Sequence, residues 1–391
     1  MPKTEEAVSL MMNFAERTGL TSNRAPQRYL WTDAFAICNF LGLARLTGNE
    51  HYTKLALRLV DQVHHTLGQH RAGDSRSGWI SGLSEQEGEL HPTQAGLRIG
   101  KKLPERTPGE PFDDQLEWDR DGQYFHYLTK WMHALDQMTR ATGDLRFNQW
   151  ARELAEVAFR AFTYSPSSGG ARRMHWKMSI DLTRALVPSM GQHDPLDGYI
   201  TCVQLQSTKT NMNESADRAN LSNEIKQLEA MIKGGDWTTS DPLGMGGLLT
   251  DAFRVYQLMR QGAVLADRLP ENLLSASLTG LYHYARHSDL SLPAEYRLAF
   301  RELGLVIGLN AAKCLRQTLN SEIRRLPTSP VVHDQLHELI QYARMSEEIE
   351  LFWRDPEHHR AGTWLEHRDI NEVMLATSLA SDGFLVLLTP H

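Results

Sequence analysis

Acidic, aromatic and histidine side chains occur close together at several points of the sequence, a combination suited to chemistry on sugars. Cleavage of a glycosidic bond needs one carboxyl group that is kept protonated and another that is kept ionised. The densest group, EWDRDGQYFH, contains Glu117 together with the candidates Trp118, Asp119, Asp121, Tyr124 and His126. Asp119 or Asp121 is predicted to be the general acid, and the alternative is that it pairs with Arg120 or caps a helix.

A second group, RYLWTD, runs from Arg28 to Asp33, just before a strongly apolar segment. Asp33 falls in the first turn of a predicted helix, where it either faces the site as an acid or base or stabilises its own helix end. Arg28, Tyr29 and Trp31 beside it favour contact with a substrate.

A third group contains a histidine between polar side chains. The segment GQHDPLDG places Gln192, His193 and Asp194 before a predicted helix, and Trp176 and Lys177 lie upstream. A histidine beside carboxylates can carry a proton near neutral pH. The alternative is a hydrogen-bonded residue of a shaped turn.

The C-terminal half supplies two further groups. Trp237 lies in the glycine-rich segment GGDWTTSDPLGMGG, and the segment GTWLEHRDIN contains Trp364, His367, Arg368 and Asp369. Charged residues are rarely buried without a purpose, so we expect the last group to face a ligand.

These groups define the candidate site. The candidate catalytic residues are Asp33, Asp119, Asp121, His193, Asp194 and His367. The candidate substrate-binding residues are Arg28, Tyr29, Trp31, Trp118, Tyr124, His126, Trp176, Lys177, Gln192, Trp237, Trp364, Arg368 and Asp369. Cys38, Cys202 and Cys314 have none of the spacings of a zinc site, and we predict neither a metal nor a cofactor.

Helices must position these residues, because apolar side chains recur at helical spacing through most of the chain. Residues 30–46 and 50–67 predict a helical hairpin joined at Thr47-Gly48-Asn49. The same pattern recurs 95 residues later at Thr142-Gly143-Asp144, which indicates an internal repeat. Continuing the pairing gives six hairpins: 4–17 with 30–46, 50–67 with 123–141, 145–162 with 196–208, 216–233 with 246–261, 271–287 with 294–318, and 333–353 with 369–388.

The two helices of each pair differ in character. The second helix is apolar all round, as expected of an inner ring, and the first is amphipathic or charged, as expected of an outer ring. The predicted fold class is therefore all-α, an (α/α)6 toroid of two concentric rings that forms a single domain over residues 1–391.

Connections from outer to inner helices are long, at 18–29, 68–122, 163–195, 234–245 and 354–368. Segments of this size in a compact domain are usually functional. All five are expected on one rim, at the N-terminal ends of the inner helices, where helix dipoles favour polar ligands.

The six pairs, the TGN and TGD turns and the aromatic-plus-carboxylate groups at the starts of inner helices resemble the six-hairpin glycosidase superfamily. They also resemble its relatives, the N-acylglucosamine 2-epimerase-like toroids. The likeness spans essentially the whole chain and is architectural, and it implies a small-molecule carbohydrate substrate rather than one reaction.

The sequence favours a glycoside hydrolase, with two alternative functions. In a glycoside hydrolase, Asp119 or Asp121 would be the acid and Asp33 or Asp194 the opposing base. In a sugar 2-epimerase or isomerase, His193 and His367 would move a proton while Arg28 or Arg368 stabilises an enolate oxygen. The third possibility is a non-catalytic binding module.

Composition restricts the partners. The formal net charge of −7 supplies no basic excess for binding nucleic acid. No run of about 18 apolar residues predicts a membrane span, and the N-terminal segment carries glutamates where a secretory peptide needs an apolar core. We therefore predict a cytoplasmic protein that binds neither nucleic acid nor membranes; the sequence does not determine its oligomeric state.

Overall fold

The computed structural model describes residues 2–189, 191–208, 219–288, 290–321 and 329–388. Within these ranges the regular structure is almost entirely helical. The helices are α1 Lys3–Arg17, α2 Leu30–Thr47, α3 His51–Leu67, α4 Glu85–Leu90, α5 Asp114–Asp119, α6 Phe125–Thr142, α7 Leu145–Phe162, α8 Asp194–Ser207, α9 Ser222–Ile232, α10 Pro242–Arg260, α11 Leu269–His287, α12 Ala299–Ser321, α13 Pro330–Leu339, α14 Ala343–Arg354, α15 Gly362–Glu366, α16 Arg368–Leu379 and α17 Asp382–Leu385. The strands are β1 Gln123–Tyr124, β2 Thr163–Tyr164, β3 Arg173–Met174, β4 Lys177–Met178 and β5 Ala185–Val187.

Both helices of each predicted pair are present, with differences at some ends. The predicted helix 333–353 is divided into α13 and α14 by a 3₁₀ turn at Ile340–Tyr342. The predicted helix 369–388 stops at Leu379, because Ala380 leaves helical geometry with φ −140°. Residues 216–218, predicted to begin a helix, lie outside the described residues.

Contacts divide the chain into two compact units. The N-terminal unit contains Ala15–Ala44, Asn49–Gly235 and Leu388, and the C-terminal unit contains Phe14 and the residues before it, Arg45–Gly48 and Asp236–Leu387. The single domain over 1–391 stays a prediction.

In the N-terminal unit, α2 is buried at every position from Leu30 to Leu43, whereas α3 buries one face. This difference is the one expected between inner and outer helices. A tight turn joins α6 to α7, and Gly143 there has the positive φ of 75° that a glycine adopts readily at a helix end.

A buried polar cluster fixes α6, α7 and α8 to one another. The Asp136 carboxylate accepts hydrogen bonds from Arg140 Nε at 2.6 Å, Thr208 Oγ1 at 2.7 Å and Asn148 Nδ2 at 3.0 Å. Gln204 Nε2 donates to the same carboxylate at 2.7 Å. Because a buried charge is tolerated only when it is paired and hydrogen-bonded, this cluster specifies how α8 lies against α6.

In the C-terminal unit, α10 and α12 approach through glycines. A Cβ atom on Gly246 would lie 2.1 Å from the Gly304 carbonyl oxygen, so no side chain fits there. Arg297 and Glu302 form a buried ion pair at 2.6 Å, and the Glu302 carboxylate also accepts a hydrogen bond from Trp353 Nε1 at 2.7 Å. No helix in the described part of the chain is both long and apolar enough to cross a membrane.

Candidate active site

Three inner helices of the N-terminal unit begin near one another, and aromatic side chains gather at that point. We call Tyr29, Trp118, Tyr124, His126, Tyr127 and Trp176 the aromatic cluster. Strand β1 pairs with β4 so that Tyr124 lies opposite Lys177, which brings the neighbouring Trp176 beside the start of α6.

Ring contacts connect the members of this cluster. The His126 ring stacks on Tyr124 at a centroid distance of 5.3 Å, and Trp176 lies parallel to His126 at 6.4 Å. Trp118 meets Trp176 edge-on at 4.9 Å and is 52% exposed. The Tyr29 and Tyr127 hydroxyls are 2.8 Å apart, which links the residue before α2 to α6. The cluster therefore has a buried base and a partly exposed edge.

Lys177 is a structural cation beneath the aromatic cluster. Its ammonium group is fully buried, donates to the carbonyls of Glu117 at 2.6 Å and Arg120 at 2.8 Å, and lies 5.5 Å from the Tyr124 ring centre. Burial lowers the pKa of Lys177. Its ammonium group faces the main chain of segment 117–120 and also makes an ion pair with the Glu117 carboxylate at 3.0 Å, so it holds this segment in place.

Asp194 opens α8 at the edge of the aromatic cluster. Its carboxylate is 4% exposed, and Oδ1 lies 3.6 Å from His126 Nδ1. Oδ2 is buried and has no hydrogen-bond partner among the residues that the structure describes. A Cβ atom on Gly191 would lie 2.5 Å from Oδ2, so the carboxylate needs a glycine at that position.

The pKa of Asp194 is raised to about 7. Burial is the main cause, the negative charge of Asp197 adds to it, and the positive charge of Lys130 opposes it. This carboxyl group therefore carries a proton for much of the time near neutral pH.

Asp197 has the opposite surroundings, although it lies in the same first turn of α8. Both of its oxygens accept hydrogen bonds from Lys130 Nζ, at 2.9 and 2.8 Å. An opposite charge at this distance favours the ionised form. The turn thus holds two carboxyl groups whose surroundings separate their protonation states, the arrangement that acid–base enzymes use.

The histidine beside Asp194 is neutral. Burial lowers the pKa of His126 to about 4, and the charge of Asp197 opposes this shift. Burial likewise raises the pKa of Tyr29 to about 12, so its hydroxyl keeps its proton. Both groups are hydrogen-bonding side chains rather than charges at neutral pH.

Asp33 is paired within its own helix end. Its Oδ1 lies 3.3 Å from Arg28 Nη1, and its Oδ2 accepts a hydrogen bond from the Tyr29 amide at 2.9 Å. Arg28 also donates to the Thr18 carbonyl at 2.6 Å. These contacts favour the capping alternative for Asp33 and a structural role for Arg28.

Asp121 is fully buried and makes an ion pair with Arg98 at 2.6 Å. It also accepts hydrogen bonds from the amides of Gly100 at 3.0 Å and Gly122 at 3.1 Å. These contacts favour a structural role. Arg120, the partner considered from the sequence, pairs with Glu110 instead.

Asp119 is an exposed residue at the end of α5, and its charge acts on Lys101. Trp31 is 6% exposed and packs on Phe35 at 4.3 Å, inside the core. Gln192 is exposed, and His193 is the residue that precedes the first turn of α8.

The predicted residues of the C-terminal unit occupy different environments. Trp364 is 1% exposed and stacks on His359 at 3.8 Å, and Trp237 is 8% exposed, so both rings are core residues. His367 precedes α16 and meets the Phe300 ring at 5.5 Å. Arg368 pairs with Glu372 at 2.8 Å, and Asp369 lies in the first turn of α16.

Reasoning from the sequence left three neighbours of the site out of the candidate set: Tyr127, Lys130 and Asp197. The spacing of Asp194 and Asp197 in HDPLDG, three apart at a helix start, could have indicated that both carboxylates share one face. Lys130 gives no comparable local signal, because its partner is 67 residues away.

Comparison with solved structures shows the fold. An inactive variant of an α-1,6-mannanase of Salegentibacter sp. HEL1_6, solved with α-1,6-mannotetrose, aligns with 97% of this chain and 99% of its own, with a TM-score of 0.54 and 12% identity. An α-mannanase of Bacteroides thetaiotaomicron aligns with 97% of this chain and 95% of its own, with a TM-score of 0.53 and 9% identity. The predicted fold class, the (α/α)6 toroid, is confirmed.

A cellobiose 2-epimerase of Spirochaeta thermophila aligns over 81% of this chain and 74% of its own, at 14% identity and a TM-score of 0.44. No protein-family model matches the sequence, and no curated protein matches it.

Proposed function

We propose that this chain is a carbohydrate-active enzyme that hydrolyses glycosidic bonds, with Asp194 as the proton donor. The observation that carries the proposal is the pair Asp194 and Asp197, one carboxyl group with a pKa of about 7 and the other ion-paired with Lys130. Glycoside hydrolysis requires such a division of protonation states between two carboxyl groups.

The chemistry assigns a separate task to each carboxyl group. Asp194 gives its proton to the glycosidic oxygen, so that the leaving sugar departs as an alcohol. Asp197, ionised beside Lys130, accepts a proton from the water that attacks the anomeric carbon. Asp197 then releases the proton it accepted to solvent, and Asp194 takes one up, so both carboxyl groups return to their starting states.

We assign the sugar-binding surface to the aromatic cluster. Trp118 and Trp176 meet at 4.9 Å, and the exposed half of Trp118 offers an apolar face for sugar C–H groups. Toroids of similar fold include the α-1,6-mannanase solved with α-1,6-mannotetrose, so α-linked oligosaccharides are the first substrates to test.

The test compares the wild-type protein with Asp194→Asn. Each is incubated with α-1,6-mannotetraose and a panel of other di- and tetrasaccharides, and released sugars are separated by chromatography. We expect wild type to cleave at least one substrate and Asp194→Asn to lose about 10²–10⁴-fold in rate. The wild-type rate should also fall above about pH 7, as Asp194 loses its proton.

The matched control is Asp334→Asn, which makes the same chemical change at an exposed position of α13. It should keep the wild-type rate. Full activity in Asp194→Asn, or no cleavage of any oligosaccharide by the wild type, would refute the assignment. Asp119→Asn in the same series tests the sequence prediction that Asp119 is the acid.

A sugar epimerase is the second candidate. His193 and His367 each precede the first turn of an inner helix, α8 and α16, which are equivalent places in two helix pairs. An epimerase would convert one sugar into its isomer without hydrolysis and would incorporate solvent deuterium at the carbon that loses a proton. The same incubations in D₂O, analysed by NMR, distinguish the two reactions.

The proposal extends to location. Cys38, Cys202 and Cys314 are free thiols, as expected of a protein in the reducing cytoplasm. Fractionation of cells that express the protein tests this directly, since recovery in a secreted fraction would contradict it.

A further inference from the structure

A second group of chemically active side chains lies in the N-terminal unit, formed by α3 and α4. It contains His65 near the end of α3 and Glu85 and Glu89 on α4. One possible ligand atom from each residue lies within 4.8 Å of the others. No metal site is predicted from the sequence, and none of these three residues is among its candidates.

The histidine is oriented for coordination. His65 Nδ1 contacts the main-chain oxygen of Asp61 at 2.9 Å, and Nε2 lies 2.5 Å from Glu89 Oε1. A main-chain acceptor at Nδ1 fixes a proton there, as in metal-binding histidines, and Nε2 makes a close hydrogen bond to Glu89 that a bound metal ion would replace by taking the place of the shared proton. The imidazole thus presents its second nitrogen to the carboxylates.

The two glutamates lie on a helix that is held in place. They are four residues apart on α4, so both project from one face. Ser84 and Glu87 form a capping box at its start, and a Cβ atom on Gly88 would lie 2.3 Å from the Trp79 ring. The Trp79 ring also contacts His65 at 5.5 Å, so one buried indole fixes the spacing between α4 and the histidine.

From this arrangement we infer a tetrahedral zinc site with His65 Nε2, one oxygen of Glu85 and one oxygen of Glu89 as ligands, and water as the fourth. Zinc accepts nitrogen and carboxylate ligands at about 2.0–2.2 Å, which places neighbouring ligand atoms about 3.3 Å apart. Glu89, whose side chain is 47% exposed, reaches that separation from Nε2 by a small rotation. A cation would also offset the negative charges of Asp61, Glu85 and Glu89.

The site is separate from the candidate active site in its residues and chemistry. Its ligand set of one imidazole and two carboxylates selects zinc over magnesium or calcium, which prefer oxygen ligands. Asp61 binds no metal itself and positions the His65 ring through its main-chain oxygen.

Cobalt(II) is a direct probe, because its visible absorption bands are intense in tetrahedral sites and weak in octahedral ones. Metal-free protein is titrated with Co²⁺, and Zn²⁺ is then added to displace it. We expect one Co²⁺ per chain with an intense band that Zn²⁺ abolishes. His65→Asn, Glu85→Gln and Glu89→Gln should each lose the band and weaken Zn²⁺ binding at least tenfold.

Glu229→Gln is the matched control, since it removes one negative charge from an exposed position of α9 in the same unit. It should bind both metals as the wild type does. Circular dichroism establishes that each variant is folded, and Glu89→Asp gives a second, milder disturbance of one ligand. The inference is overturned by the absence of a tetrahedral band in wild type, or by equal Zn²⁺ affinity in wild type and His65→Asn.

Discussion

Three aspartates at or shortly before the starts of inner helices in the N-terminal unit face different side chains. Asp33 and Asp121 face arginines, Arg28 and Arg98, within buried hydrogen-bond networks. Asp194 faces a neutral histidine and a second carboxylate. The same residue type at or shortly before a helix start is therefore a structural anion at two places and a proton-carrying group at the third, because the facing side chains differ.

The largest effect expected from this comparison is on stability. Asp121→Ala would leave the buried guanidinium of Arg98 without its anion, and losses of about 3–5 kcal/mol are typical when one partner of a buried ion pair is removed. Asp194→Asn removes no ion pair with a cation and replaces a buried carboxyl group that ionises near this pH, so it should not destabilise the protein. Denaturant unfolding of both variants at pH 7 measures the difference.

Equal losses in the two variants would break the comparison, since they would mean that Asp194 also contributes as a buried anion. Asp334→Asn again serves as the surface reference and should unfold as the wild type does.

The next effect is a dependence of stability on pH. The pKa of Asp194 is about 7 in the folded protein against 3.8 for the free group, so the folded state binds the extra proton between these values. Stability from this group is fully present below about pH 4 and is lost as pH rises through 7, on the order of 4 kcal/mol at most. Carboxylates away from this site titrate alike in wild type and Asp194→Asn, so the difference between the two proteins isolates Asp194 and its neighbour Asp197.

The measurement is the free energy of unfolding of both proteins at several pH values from 4 to 8. Wild type should lose stability relative to Asp194→Asn across this range. Parallel curves, or a wild type that gains relative stability with rising pH, would show that the Asp194 carboxyl is ionised throughout.

The smallest effect is on the alkaline limb of the pH–rate profile, that is, on the pH at which activity falls as the solution becomes more basic. Lys130 lowers the pKa of Asp194, so Lys130→Met should move the limb of kcat/KM upward by about one pH unit, equivalent to ~1.4 kcal/mol. Lys130→Arg keeps the charge and should leave the limb in place. An unchanged limb in Lys130→Met would indicate that Lys130 acts on Asp197 alone.

The fold was predictable because its signals are local. Apolar spacing marks each helix, and the turn at Gly143 has the glycine that a helix end needs. The boundaries that differ lie at Ile340–Tyr342, where a 3₁₀ turn divides the helix, and at Ala380, where the main chain leaves helical geometry, although the apolar pattern continues past both.

The roles of site residues were less predictable, because they depend on distant partners. Trp118 and Trp364 both stand among charged residues in the sequence, yet one ring is 52% exposed and the other 1%. Arg28 is close enough to Asp33 in the sequence to suggest their pairing, whereas Arg98 lies 23 residues from Asp121. The pKa of Asp194 is raised by burial and by Asp197 of its own helix and is lowered by Lys130 of α6, whose proximity no local pattern encodes.

The Asp136 cluster has a consequence for how this protein could change. Asp136 comes ten positions after His126, roughly 15 Å along α6. The anchor that locks α6 to α8 is thus remote from the end that holds Asp194 and the aromatic cluster. Mutations that alter substrate choice can accumulate at one end of these helices while the other end preserves their alignment, so the scaffold tolerates functional divergence.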